Sequence, residues 1–114
     1  MWKVATTDEY DQWLDDQSHE AVSEVIAIVS LLRQYGPQLS RPHADTLKGS
    51  RFANMKELRV RTSAAQIRIA FAFDPDRQAI LLVAGDKRGV SEKRFYRRLI
   101  DKADALYAAH LSKR

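Results

Sequence analysis

Two neighbouring stretches in the middle of the chain, 56–61 and 66–73, alternate between apolar and polar residues. Side chains of a β-strand point alternately to opposite faces, so this pattern is typical of strands with one buried face. The connector 62–65 is too short for a crossover between parallel strands, and the two stretches therefore predict an antiparallel pair. The apolar positions of the buried face are Leu58, Val60, Ile67, Ile69, Phe71 and Phe73.

Two further strands are predicted from composition and turn residues. Residues 79–85 are apolar on both faces, as expected of a central strand. They follow a turn at 74–77, in which Pro75 fixes one backbone dihedral, so this strand is also expected to run antiparallel to its predecessor. Residues 2–6 form a short strand candidate near the start of the chain.

Three helices are predicted from N-cap residues and apolar periodicity. Thr7 is a suitable cap for a short helix with acidic residues in its first turn. Residues 18–35 carry an apolar stripe at helical spacing, which ends at Gly36 and Pro37. Ser91 can cap a last helix that runs from Glu92 to about residue 111.

The order of these elements is β-α-α-β-β-β-α, which predicts a single α+β domain over residues 1–114. We expect the helices to pack against one face of a mostly antiparallel sheet. Residues 37–54 contain two prolines and one glycine and are interpreted as a connecting segment. The predicted core contains Val25, Val29, Leu58, Ile67, Ile69 and Phe71.

Charge is unevenly distributed along the chain. Residues 1–46 carry a net charge of −5 and residues 47–114 carry +9, which together give +4. A strongly basic half in so small a domain favours a polyanionic partner, nucleic acid first. Solvated lysines and arginines without a partner would give the same count.

Charged residues occupy the face of the two alternating strands that lies opposite the apolar one. Glu57, Arg59, Arg61 and Arg68 are expected to project from this open face. Arg68 stands between two isoleucines, so its guanidinium needs an anionic partner or access to solvent. A bound phosphate would satisfy it, and so would a structural salt bridge to Glu57.

A second basic cluster closes the last predicted strand. Lys87 and Arg88 lie between Gly85 and Gly89, just before the last helix. Glycines let the backbone approach a ligand, and anions bind well at a helix N-terminus. A simple strand-to-helix connection with incidental basic residues remains the alternative.

Several classes of protein are excluded by composition. The chain has no cysteine, which excludes disulfides, thiolate zinc sites and cysteine nucleophiles. His19, His43 and His110 show no metal-ligand spacing, so we expect no metal and no other cofactor, although His43 could reach a substrate near Lys48. The chain has no apolar run long enough to span a bilayer and no signal-peptide pattern, so we expect a cytoplasmic protein without a membrane partner.

Several sequence blocks resemble toxins of the RelE/ParE superfamily, and most closely the HigB-like, phage-derived Gp49-like branch. These blocks are Leu47–Arg51, Asn54–Arg59, Arg68–Asp74 and Ile80–Lys87. The resemblance covers nearly the whole chain and implies a RelE-like fold. It also implies the toxin of a type II toxin–antitoxin pair, a ribosome-dependent endoribonuclease that cuts mRNA without a metal. The implied partners are the ribosome, mRNA and a cognate antitoxin, expected to be a HigA-like helix-turn-helix protein.

The same resemblance implies a site built from Arg, Lys and Tyr. Arg59 and Arg68 would clamp the scissile phosphate, Lys87 would stabilise charge or act as an acid, and Tyr96 would stack a base or orient the attacking hydroxyl. Glu57 is a possible general base. The candidate catalytic residues are thus Glu57, Arg59, Arg68, Lys87 and Tyr96. The candidate RNA-binding residues are Lys48, Arg51, Lys56, Arg61, Arg88 and Arg94.

Two other functions stay open. The chain could be a non-catalytic, ParE-like inhibitor of DNA gyrase, or an inactive homologue that acts as a co-repressor with its antitoxin. The basic cluster favours the nuclease, because a gyrase inhibitor does not need a phosphate clamp on its sheet.

Overall fold

A five-stranded sheet forms the centre of the structure, a computed structural model that describes all residues from Met1 to Arg114. Its strands are β1 (Val4–Thr6), β2 (Ala44–Thr46), β3 (Lys56–Arg61), β4 (Gln66–Phe73) and β5 (Ala79–Asp86). They lie in the order β1-β5-β4-β3-β2, and all neighbouring pairs are antiparallel except β1 with β5. β4 is therefore the central strand. The sequence predicted β5 in that place, but β5 lies next to β4, between β4 and β1. The predicted α+β fold with a mostly antiparallel sheet is confirmed.

Two of the three helices begin at the predicted caps, Thr7 and Ser91, and the remaining helix is capped by Ser18. They are α1 (Asp8–Asp15), α2 (His19–Tyr35) and α3 (Glu92–Ser112). The hydroxyls of Thr7, Ser18 and Ser91 each accept a hydrogen bond from the backbone N–H three residues later. α2 ends at Gly36, which has a φ of +57° and where a Cβ would lie 2.3 Å from the Trp2 ring. None of the helices combines the length and the apolar character that crossing a membrane requires.

The helices cover both faces of the sheet, so the prediction that they share one face is wrong. α1 and α2 pack over Ile69 and the apolar positions that share its face. α3 packs on the opposite face, in a second core that contains Ala70 of β4. The physical reason lies in β5, because Leu81 on one face and Ile80 and Leu82 on the other all need to be shielded from water.

The segment between α2 and β3 contains one strand that the sequence did not predict. β2 pairs with the first half of β3, with Asp45 opposite Glu57. A strand of three residues is too short to show alternation, and it is stabilised by its pairing with β3 more than by its own residue types. Its position brings Asp45 next to the charged end of β3.

The turn between β4 and β5 is organised around the buried carboxylate of Asp74. Its oxygens accept hydrogen bonds from the backbone N–H groups of Asp76 and Gln78 and from the Gln78 side chain. His110 Nε2, near the end of α3, lies 2.8 Å from Asp74 Oδ2. Burial by itself raises the pKa of Asp74, but the hydrogen bonds from His110 and from the turn outweigh it and leave the pKa below its ordinary value.

We expect Asp74 to make stability depend on pH. A carboxyl whose pKa is lowered by folding stabilises the folded state above its unfolded pKa of about 3.9, and this contribution is lost as the pH falls through the folded value. Asp74→Asn should therefore lower the free energy of unfolding at neutral pH and weaken its decline below about pH 4. Urea denaturation across this range measures both effects, with the exposed Asp15→Asn as control. An unaltered pH profile for Asp74→Asn would contradict this role.

The core assignment predicts a large cost for truncating Ile69. This side chain is fully buried under α2, so Ile69→Ala should lower the free energy of unfolding by about 2–5 kcal/mol. Ile26 on α2 is 58% exposed, and Ile26→Ala should change the free energy of unfolding by less than about 0.5 kcal/mol. Urea denaturation of both variants provides the comparison, and a loss below about 1 kcal/mol for Ile69→Ala would refute the assigned strand face.

Candidate active site

Glu57, near the start of β3, is a buried carboxylate surrounded by donors from three elements. Only 3% of the residue is exposed. Tyr96 Oη donates to Oε1 at 2.8 Å, and Arg59 Nε donates to Oε2 at 3.1 Å. Arg68 Nε lies 3.8 Å from Oε1. One carboxylate thus joins β3, β4 and α3. We call the four residues Glu57, Arg59, Arg68 and Tyr96 the Glu57 cluster.

The register of the sheet explains why these side chains meet. Arg59 of β3 lies directly opposite Arg68 of β4, and like charges in such cross-strand positions repel each other. Alternation places Glu57 on the same face as Arg59, two residues earlier. Its carboxylate therefore lies where it attracts both guanidiniums. The Arg68–Glu57 salt bridge, one of the two alternatives that the sequence left open, is present.

The sequence predicted that Arg68 projects from an open face of the sheet. This prediction is wrong, because α3 covers that face. Its side chain is only 12% exposed. Nε donates to Tyr96 Oη at 3.3 Å, and Nη1 donates to the backbone carbonyl of Ile67 at 3.0 Å. The guanidinium is thus held in one orientation between the sheet and α3.

Tyr96 is positioned by the packing of the second turn of α3. The preceding residue, Phe95, is buried against Gly85, where an added Cβ would approach the Phe95 ring to 3.1 Å. Burial first, and then the hydrogen bond to Glu57, raises the pKa of Tyr96 to about 12. The phenol is therefore neutral near pH 7 and keeps its proton on Oη.

A cavity of about 280 Å³ opens beside the Glu57 cluster, and it is called the site cavity. Glu57, Arg59 and Tyr96 line it together with Arg41, Asp45, Thr46, Leu47, Lys48 and Glu92. Asp45 bonds to Arg41 at 2.9 Å and to Arg59 at 3.3 Å, and the bond from Arg41 is the main cause that lowers the pKa of Asp45. The lining thus holds three cations (Arg41, Lys48 and Arg59) and three carboxylates (Asp45, Glu57 and Glu92), so a phosphate there would find cationic donors beside acidic groups.

The loop that carries Lys48 is fastened to α3 by Asp104, a residue that the sequence did not single out. Ser50 Oγ donates to one oxygen of Asp104, and the backbone N–H of Arg51 donates to the other at 3.1 Å. Gly49 has a φ of +98°, which favours glycine, in the turn after Lys48. No local pattern marks Asp104, because its partners are 54 and 53 residues away along the chain.

Lys87 is connected to the site cavity through Glu92. Its Nζ lies 3.0 Å from Glu92 Oε1, and Glu92 is a lining residue whereas Lys87 is not. The sequence did not predict a role for Glu92, since an acidic residue in the first turn of a helix is explained by the helix dipole alone.

The remaining predicted RNA-binding residues do not line the site cavity. Arg88 Nη1 donates to the carbonyl of Ser63 at 3.3 Å, and Arg94 is exposed on the first turn of α3. Arg51 lies over the ring of Phe52. Lys56 has Phe71 as its cross-strand neighbour, so alternation places it on the α2 face, away from the Glu57 cluster.

Comparison with known protein sequences identifies the family of the chain. A family model described as "Phage derived protein Gp49-like" matches residues 12–108. The chain belongs to this family. It is 41% identical over 110 residues to "Putative toxin HigB2" of Mycobacterium tuberculosis (strain ATCC 25618 / H37Rv), which covers 96% of the chain and 54% of that relative. It is 46% identical over 94 residues to "Putative toxin HigB3" of the same strain, which covers 82% of the chain and 80% of that relative.

The Gp49-like chain spans about half the length of the first of these two relatives. The match over residues 12–108 includes the second half of α1, all of α2, most of α3 and every residue of the Glu57 cluster. The predicted resemblance to HigB-like proteins of the Gp49-like branch is therefore confirmed.

The Glu57 cluster predicts unequal effects for two ion-pair deletions. Glu57→Ala leaves the largely shielded Arg68 without its carboxylate and facing the partly exposed Arg59, and should lower the free energy of unfolding by about 3 kcal/mol. Glu92→Ala breaks the pair with Lys87, in which the Glu92 side chain is 70% exposed, and should cost less than about 1 kcal/mol. Urea denaturation of both variants measures the difference, and equal losses would contradict the structural role assigned to Glu57.

Proposed function

We propose that this Gp49-like protein is the toxin of a type II toxin–antitoxin pair and cleaves mRNA on the ribosome. Membership of the family and the similarity to two proteins named as toxins support the first part. The Glu57 cluster supports the second part, because it places two guanidiniums and a neutral phenol beside a cavity that Lys48 also lines. This convergence is the observation that carries the proposal.

In the proposed reaction, Arg59 and Arg68 bind the scissile phosphate. Each guanidinium has further N–H groups beyond the Nε that faces Glu57. As the 2′-hydroxyl attacks phosphorus, charge grows on the phosphoryl oxygens, and two fixed cations stabilise that charge more than they stabilise the ground state. The positive charge that this step uses comes from side chains of the chain itself.

The proton of the attacking 2′-hydroxyl passes to Glu57 through Tyr96 in this mechanism. Tyr96 Oη donates to Glu57 Oε1 at 2.8 Å, so it can hand its own proton to the carboxylate while it accepts the proton of the substrate. With its pKa at about 12, the phenol is not a base at neutral pH, and the relay avoids a free phenolate.

The second proton transfer completes the bond changes. The bond between phosphorus and the 5′-oxygen breaks as that oxygen takes a proton from a lysine, which leaves a 2′,3′-cyclic phosphate and a 5′-hydroxyl end. Lys48, which lines the site cavity, and Lys87, which Glu92 holds, are the two candidate donors. Both are cations that would also stabilise the leaving oxygen.

The distribution of charge across the sheet supports an approach of RNA from the α3 side. The layer of α1 and α2 has no lysine or arginine between residues 4 and 32, and its acidic residues are Asp8, Glu9, Asp11, Asp15, Asp16, Glu20 and Glu24. The turn before α3 and its first half carry Lys87, Arg88, Lys93, Arg94, Arg97, Arg98 and Lys102. A polyanion is attracted to the second layer and repelled by the first.

The same charges define the proposed partners. A HigA-like helix-turn-helix antitoxin would neutralise the toxin by placing an acidic segment over Arg59 and Arg68. Such a segment would be disordered alone and would fold on binding. The ribosome and its mRNA would compete with the antitoxin for this positively charged surface.

Induction of the chain alone in cells, followed by mapping of mRNA 5′ ends, tests this function. For the wild type we expect cuts within codons that disappear when translation is blocked. Tyr96→Phe keeps the ring but interrupts the proton path, so it should slow cleavage at least about a hundredfold. Tyr35→Phe changes an exposed tyrosine at the end of α2 and should cleave at the wild-type rate.

Other outcomes of this experiment would identify a different function. Cleavage at the parental rate by a folded Tyr96→Phe protein would contradict the proton path. Growth arrest with broken DNA and intact mRNA would indicate a gyrase inhibitor. Absence of any growth arrest would indicate an inactive homologue.

A further inference from the structure

A second cavity lies at the free end of β3, where β2 has already stopped. β2 pairs with β3 only as far as Leu58, and the last link between them is the N–H of Arg59, which donates to the carbonyl of His43. The strand continues to Arg61 without a neighbour on that side. The space left there is a cavity of about 440 Å³, called the edge cleft, which lies within the usual size range of small-ligand sites of about 300–1,000 Å³.

The edge cleft combines three kinds of chemistry. Arg59, Arg61 and Arg68 bring three guanidiniums to it. Pro42 and the half-buried imidazole of His43 provide flat, weakly polar surfaces. Glu24 of α2 brings one carboxylate, which can accept a hydrogen bond from an amino group. A nucleotide presents the matching groups, which are a phosphate, a planar ring and, in some bases, an exocyclic amine.

The edge cleft is continuous with the Glu57 cluster. Arg59 lines both the edge cleft and the site cavity, and Arg68, which lines the edge cleft, donates to Tyr96 Oη at 3.3 Å. A chain of phosphates that places one phosphate between Arg59 and Arg68 must therefore continue into one cavity or the other at the next nucleotide.

We propose that the edge cleft binds the nucleotide next to the scissile phosphate of a single-stranded RNA. His43 stacks on the base, Arg61 holds the flanking phosphate, and Glu24 accepts a hydrogen bond from the exocyclic amine of cytosine or adenine. This inference rests on the proposed function, and it adds a site that selects among bases.

An acidic peptide fits the edge cleft less well than a nucleotide. The three guanidiniums would attract its carboxylates, but Glu24 would repel them, and an extended acidic side chain has no planar group to cover His43 and Pro42. The combination of cations with one acceptor and a flat wall favours a nucleic acid base with its phosphate.

Binding of short, labelled 2′-O-methyl oligonucleotides, followed by fluorescence anisotropy, tests the inference. These ligands cannot be cleaved, because the attacking 2′-hydroxyl is blocked, so the measurement is independent of catalysis. We expect oligocytidylate to bind more tightly than oligouridylate, and His43→Ala to weaken both about tenfold through the lost stacking. Glu24→Gln should abolish the preference for cytidine, whereas Glu20→Gln, one turn earlier on α2 and outside the edge cleft, should preserve it.

Three results would overturn the inference. His43→Ala and Glu24→Gln could bind both oligonucleotides as the parent does, or the parent could bind neither. Alternatively, oligoglutamate could displace the oligonucleotide with higher affinity in a manner that depends on His43, which would make the edge cleft a peptide site. The two proposals can fail independently, because the proposed function is measured by the cleavage of mRNA and this inference by the binding of oligonucleotides. A Tyr96→Phe protein that no longer cleaves mRNA, but in which His43→Ala still weakens oligonucleotide binding, would support both.

Discussion

The carboxylate of Glu57 is the interaction on which the rest of the site depends. Arg59 and Arg68 face each other across β3 and β4, and their like charges repel each other although Arg59 is partly exposed to water. Glu57 offsets one of the two charges and also accepts the phenol of Tyr96, which fastens α3 to the sheet. The four residues of the cluster keep one net positive charge, which Asp45 partly offsets through its pair with Arg59.

The position of α3 depends in turn on small residues in the sheet. Ala70 and Ala72 on β4 are fully buried on the α3 face, and Gly85 on β5 leaves room for the Phe95 ring. Larger side chains at these positions would push the helix outward. Tyr96 would then move away from Glu57, because the distance between α3 and the sheet determines the contact between these two side chains. The packing of the core therefore also sets the geometry of the proposed proton path.

Local patterns in the sequence predicted most elements, and long-range contacts account for what they missed. Alternation in β3 and β4 placed Leu58, Ile67 and Ile69 correctly on one buried face, and the caps Thr7 of α1 and Ser91 of α3 were predicted. The one-faced arrangement of helices was wrong, although an apolar strand on both faces already required two covering layers. β2 and Asp104 were missed because pairing with β3 and with the loop at Ser50 leaves no periodic signal. The charged residues around Arg68 were predicted from the sequence, but the position of α3 over them was not.

Arg59 explains how a small protein without a deep pocket could hold an extended strand of RNA. Its guanidinium lies on the boundary between the site cavity and the edge cleft and is itself held by Glu57 and Asp45. A phosphate bound there is shared by the nucleotides on both sides, so contacts in either cavity orient the same phosphorus. In the proposed function, binding energy from bases that do not react would align the reacting 2′-hydroxyl with Tyr96, which is how remote contacts accelerate a chemical step. The free end of β3 is necessary for this arrangement, because a longer β2 would close the edge cleft and leave the phosphate bound from one side only.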